Sequence, residues 1–170
     1  MMQRPSTQPG PAHLATAAAL TALLVGVTAY GTLRSGGALA FPTGLGLGAS
    51  GALAGSLPSF VHTFAFALLS AVALGLDRVA LVRCAGAWAL VGVAFELLQH
   101  DRVAAALLPH PATFAPDGAT QALVALLARH AHLGVFDVFD VVATLLGAVA
   151  AWAFGASALA RRARTGRVGR

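Results

Sequence analysis

Between Ala12 and Leu33 the chain runs through Ala, Leu, Val and Thr without an Asp, Glu or Arg. That is about 20 residues, enough for a helix rising 1.5 Å per residue to cross a hydrocarbon core of about 30 Å. Three more stretches have the same character: Phe60 to about Leu76, about Val79 to Gln99, and about Val138 to Leu159. Composition points the same way, with 58% hydrophobic and 10% charged residues in a chain of 170. A soluble domain of this size cannot hide so much apolar surface and carries about a quarter charged residues. The expected fold is all-α: an integral membrane bundle of four transmembrane helices plus an interfacial helix in the third loop.

The intervening segments divide the chain. Met1 to Pro11 is polar and Pro-rich and reads as a frayed N-terminus. The first helix with its Gly-rich loop fills 12–56, a transmembrane domain fills 57–159, and a basic tail fills 160–170. Arg4 ahead of the first helix and small residues at Ala38 and Ala40 also suit a signal peptide. The apolar run exceeds the usual 7 to 15 residues of a signal h-region, so retention is expected. Gly36 to Ser56, with the turn signal Phe41-Pro42-Thr43-Gly44, reads as a loop on the membrane surface. Pro58 is expected at or just before the start of the second helix, where its missing amide hydrogen is harmless. Asp77-Arg78 closes that helix, and the link of a few residues makes helices two and three an antiparallel hairpin. Between His100 and Asp137, Pro109, Pro111 and Pro116 act as breakers. Ala119 to Ala131 has helical composition behind the N-cap candidate Asp117, and it is too short to span.

All 11 cationic side chains are Arg, and five of them (Arg161, Arg162, Arg164, Arg167, Arg170) follow the last apolar run. This is the pattern of the positive-inside rule, and nucleic acid is not needed to explain it. Four spans put both termini on one side, and that side collects eight of the 11 arginines. The expectation is a multi-pass protein of the cell membrane with both termini cytoplasmic and the lipid bilayer as its first partner. Cys84 is the only cysteine, which excludes an intramolecular disulfide and reads as packing material.

That orientation gathers the unusual polar residues near the outer face: His62 early in the second helix, Glu96 and Gln99 late in the third, and Asp140 early in the fourth. A charge in a membrane-length apolar run costs roughly 2.5 to 3.5 kcal/mol on insertion scales, so Glu96 should face protein or water. Glu96 and Gln99 are three apart and share a face, as do Asp140, Thr144 and Gly147 at i, i+4 and i+7. Three helices thus offer polar faces at a similar depth, where the charges can be hydrogen-bonded.

The run His62-Thr63-Phe64-Ala65-Phe66, the run Glu96-Leu97-Leu98-Gln99, and Asp140-Val141-Val142-Ala143-Thr144-Leu145-Leu146-Gly147 resemble, in matching order, three conserved segments of VanZ-like membrane proteins. The likeness covers roughly residues 57 to 153. It implies a cell-envelope protein in which His62, Glu96, Gln99 and Asp140 are the site positions, and a role connected with resistance to the glycopeptide teicoplanin. Phe66 stands where the family often has Tyr and Thr144 where it usually has Asn. The segment between the third and fourth helices is longer than the family's, and Arg102 or Arg129 takes the place of its customary Arg.

The same residues admit plainer roles. His62 could be an interfacial histidine on a backbone carbonyl, Glu96 a clamp between helices, and Asp140 an acid favoured by the helix dipole. Asp137 suits the N-cap, and Thr144 and Gly147 suit close helix packing. The functional readings are a binding site for a glycopeptide, a lipid headgroup or a cell-wall precursor, or a hydrolase or transferase on a lipid-linked substrate with His62, Glu96 and Asp140 as candidate catalytic groups. One imidazole and two carboxylates, with His100, His130 and His132 nearby, could also hold a divalent metal, although no His-Glu-x-x-His motif is present. Cofactor, metal and oligomeric state are left open by the sequence.

Overall fold

The computed structural model describes residues 9–33, 51–107, 118–133 and 136–168. It is all-helical: α1 (Pro11–Leu33), α2 (Gly51–Ala73), α3 (Arg78–Leu98), α4 (Asp101–Leu107), α5 (Ala119–Leu133) and α6 (Val138–Val168). Four of these helices contain segments long and apolar enough to cross a membrane, namely Pro11–Ala29, Ser56–Ala73, Arg78–Leu98 and Val138–Arg164. The chain is therefore a multi-pass membrane protein. The bundle leaves large apolar side chains outward, Leu24, Leu74 and Leu90 each about 70% exposed, as a lipid-facing surface requires.

Helix α2 sits at the centre and packs on α1, α3 and α6, and α6 also packs on α3 and α1. The core between them is made of small residues: Ala15 and Ala19 of α1, Ala65 and Ala71 of α2, Ala80, Cys84 and Ala85 of α3, and Ala148 and Ala151 of α6, with Leu68 and Leu81 filling the middle. Lipid tails are as apolar as Leu, so burial alone does not drive these helices together, and small side chains let backbones approach for dispersion contacts. Trp88 donates its indole N–H to Ser70 Oγ at 3.0 Å, tying α3 to α2, and Phe66 packs on the same indole. Phe64 meets Phe154 edge-on between α2 and α6.

The α2–α3 link is a tight C-cap. The amide of Leu76 donates to the Ala71 carbonyl and that of Gly75 to the Val72 carbonyl, with Gly75 at φ 96 and Leu76 at φ 44. This is the paired bonding of a Schellman motif, with glycine at the left-handed position. Asp77 does not close α2 as the sequence suggests. It caps α3, its Oδ1 accepting from the Ala80 amide at 2.7 Å.

Three boundaries differ from the sequence reading. Helix α2 begins at Gly51, so Pro58 lies inside it and the stretch Gly51–Ser56 is helix rather than loop. Pro58 withholds one amide from the Ala54 carbonyl, but Ala and Leu before it favour helix and the turn persists. The crossing segment itself starts at Ser56, so Pro58 falls in its first turn. Second, Asp101–Leu107 forms the short helix α4, which bridges α3 and α5. Third, α6 continues through the arginines to Val168. Ala and Arg are both good helix formers, and cations suit a helix C-terminus. Helix α5 is longer than expected by two residues and remains too short to span. The expected frayed segment up to residue 8, the Gly-rich loop over 34–50, the breakers Pro109, Pro111 and Pro116, and Asp117 lie outside the described residues.

Candidate functional site

The depth of each polar residue is set by where the helices touch. Gly147 of α6 lies against α2 so closely that a Cβ there would overlap the Phe60 carbonyl oxygen and sit 3.2 Å from Thr63 Cβ. Gly92 of α3 receives Thr144 of α6, and a Cβ at 92 would stand 2.7 Å from Thr144 Cγ2. These two contacts register the helices. Four residues beyond Gly92 on α3 is Glu96, and four before Thr144 on α6 is Asp140, so antiparallel packing brings the two carboxylates to one level.

They meet there. Glu96 is only 9% exposed. Its carboxylate accepts a hydrogen bond from the backbone N–H of Asp137, and the charges of Asp140 and Asp137 are close enough to act on it. Asp137 is the N-cap of α6, its Oδ1 accepting from the Phe139 amide at 2.8 Å, as its position suggests. Asp140 lies in the first turn of the same helix. Among the described residues no hydrogen-bond donor reaches two buried oxygens, Oε2 of Glu96 and Oδ1 of Asp140. Among the described residues no arginine pairs with either carboxylate, and Arg102 and Arg129 are both exposed. Thr144 is 2% exposed and fills the seam one turn below the pair. Gln99 is the C-cap of α3, half-buried about a turn beyond Glu96; its amide donates to the Glu96 carbonyl and the His100 amide to the Leu97 carbonyl. His100 packs edge-on to Phe136 at 5.6 Å, just outside the cluster.

His62 is placed differently. It lies on an exposed face of α2, its ring stacked at 5.8 Å on Phe66. The Gly147 contact puts α6 residue 147 level with α2 residues 60 to 63. Asp140, seven residues earlier on a helix running the same way, is therefore roughly 10 Å further along the bundle axis. The structure joins Glu96 to Asp140 and does not bring His62 to them.

The α2 residue at the level of the carboxylates is Ser56, seven residues before Thr63 and so on the same α6-facing side. It is 7% exposed and the sequence reading passed over it. The signal was available: the spacing Ser56–Thr63 repeats the spacing Asp140–Gly147 on the neighbouring helix. Among the described residues no three His, Cys, Asp or Glu side chains converge as metal ligands do. His132 is half-buried in α5, and the side chain of His130 lies outside the described residues. Chemically the arrangement is a buried carboxylate, Glu96, facing the half-buried Asp140 in the first turn of α6, suited to accepting hydrogen bonds from a donor that reaches both.

No protein-family model, curated protein or solved structure matches the chain.

Proposed function

We propose that the chain is a divergent VanZ-like protein of the cell membrane that binds an envelope ligand at the α3–α6 carboxylate site. The ligand class is a glycopeptide, a lipid headgroup or a cell-wall precursor, and the protein performs no chemistry of its own. The observation that carries the reading is the pair Glu96, buried, and Asp140, half-buried, whose charges act on each other and which each keep one oxygen that no donor among the described residues reaches. Unpaired buried carboxylates are costly, and a protein that only needed a clamp would be served as well by apolar residues. The arginine distribution supports cytoplasmic termini, which turns the C-terminal end of α3 and the start of α6 outward. Binding is favoured over catalysis because His62, the imidazole among the candidate catalytic groups, lies on an exposed face of α2 about 10 Å along the axis from the carboxylates, beyond direct hydrogen-bond reach.

The test is protection of a glycopeptide-susceptible bacterium against teicoplanin. Expression of the wild-type chain is expected to raise the inhibitory concentration several-fold, and Glu96→Gln or Asp140→Asn to abolish the effect at equal membrane abundance, since each removes a charged acceptor with an expected contribution of about 1.5 to 3 kcal/mol. Full protection by both variants would remove the carboxylates from function.

A further inference from the structure

The two donor-less oxygens define what the site can hold. Glu96 is nine-tenths buried, its carboxylate accepts from the Asp137 amide and feels the charge of Asp140, and among the described residues no donor reaches Oε2 of Glu96 or Oδ1 of Asp140. Among the described residues, one oxygen from each of two carboxylates is thus open to a donor. A planar guanidinium makes its best bond to both oxygens of one carboxylate, which this site does not offer. A divalent metal needs more ligands than two, and among the described residues no third His, Cys, Asp or Glu joins them. A primary ammonium is compact, carries three N–H donors and can bridge two single oxygens from different side chains. The chain contains no lysine side chain to supply it.

The site's position says which molecule. Glu96 is the third residue from the end of α3, within one turn of the terminus of a helix long and apolar enough to cross a membrane. The same two helices form an apolar groove of about 300 Å³ lined by Val82, Ala85, Gly86, Ala148, Val149 and Trp152. Gly86 lies ten residues from Glu96, roughly 15 Å along the helix, which is half the thickness of the hydrocarbon core. Groove and carboxylates lie on the same pair of helices, within the length of one lipid of each other.

We propose that the α3–α6 face binds a lipid whose headgroup carries a primary ammonium, held by Glu96 and Asp140, with an acyl chain along the Val82–Trp152 groove. This rests on the outer-face binding reading and names the ligand for it.

The experiment uses the purified full chain in phosphatidylcholine nanodiscs doped with phosphatidylethanolamine of the same chains, with retained lipid counted by native mass spectrometry. Retention of phosphatidylethanolamine is expected to exceed that of phosphatidylcholine, whose quaternary nitrogen has no N–H, by about tenfold, the effect of one hydrogen bond to a charged group. Glu96→Gln combined with Asp140→Asn is expected to bring it down to the phosphatidylcholine level. A second variant guards against misfolding. Gly86→Phe fills the groove at a position where a Cβ meets nothing within 4 Å, and it should lower retention of both lipids while the bundle stays folded. Equal retention of the two lipids by the wild type, or retention unchanged in the carboxylate double variant, overturns the proposal. Displacement by free ethanolamine as effective as by the lipid overturns its lipid part and assigns the ammonium to a soluble amine. Loss of headgroup selectivity alongside intact, Glu96-dependent glycopeptide protection would sink this inference alone and leave the binding reading standing.

Discussion

Gly147→Leu is expected to destabilise the bundle by at least about 3 kcal/mol, the upper range for overpacking a filled interface, and to leave little folded protein in detergent. The added side chain would enter α2 at the Phe60 carbonyl and Thr63, and backbone cannot rotate away as a flexible side chain can. Because α2 is the hub on which α1, α3 and α6 all pack, separating it from α6 weakens every other contact. Gly86→Leu is the control: the same change on α3, at a site with open space around it, should shift the detergent melting midpoint little. Equal stability of the two variants would show that the α2–α6 approach is looser than described.

The second large effect is a size exchange at the seam beneath the carboxylates. Gly92→Ala alone places a methyl 2.7 Å from Thr144 Cγ2 and 3.1 Å from its Oγ1, so one helix must move, with an expected loss of about 1 to 2 kcal/mol. Thr144→Ala removes both contacting atoms. The double variant should therefore recover most of the loss, a coupling of about 1 kcal/mol in a double-mutant cycle read from thermal or SDS unfolding. Since Glu96 and Asp140 each lie one turn above this contact, Gly92→Ala should also weaken ligand retention, and Thr144→Ala should restore it. Additive losses would mean that Gly92 and Thr144 do not face each other.

The sequence made the number of spans plain, because length and hydropathy are properties of one helix at a time. Four apolar runs of adequate length produced four spanning helices, and the α3 boundaries fell within a residue of their expected places. What misled was local punctuation. Pro58 reads as a helix start, yet Gly51–Leu57 is helical before it, because proline removes one hydrogen bond without forbidding the turn ahead. The arginines after Leu159 read as a tail, yet Arg is a good helix former and α6 runs on to Val168.

The site was half legible. Glu96 and Asp140 stand out as charges in apolar surroundings, and their partnership follows from burial cost. The level of His62 does not follow from any single helix. It depends on the register of α2 against α6, which is fixed by the flat surface at Gly147, and that register brings Ser56 to the height of Asp140 while His62 faces outward beside Phe66. A polar residue one heptad from a close-packing residue on each of two neighbouring helices was the pattern to look for.

The central claim is that Glu96 and Asp140 meet at one level while His62 stands apart, and cysteine cross-linking in membranes tests it most directly. In a Cys84→Ala background, Glu96→Cys paired with Asp140→Cys should be joined in high yield by a short bifunctional thiol reagent. His62→Cys paired with Asp140→Cys should give little product, since the register separates them by roughly 10 Å along the axis and by the facing of α2. Efficient joining of the His62 pair with none for the Glu96 pair would contradict the helix register on which the whole account stands.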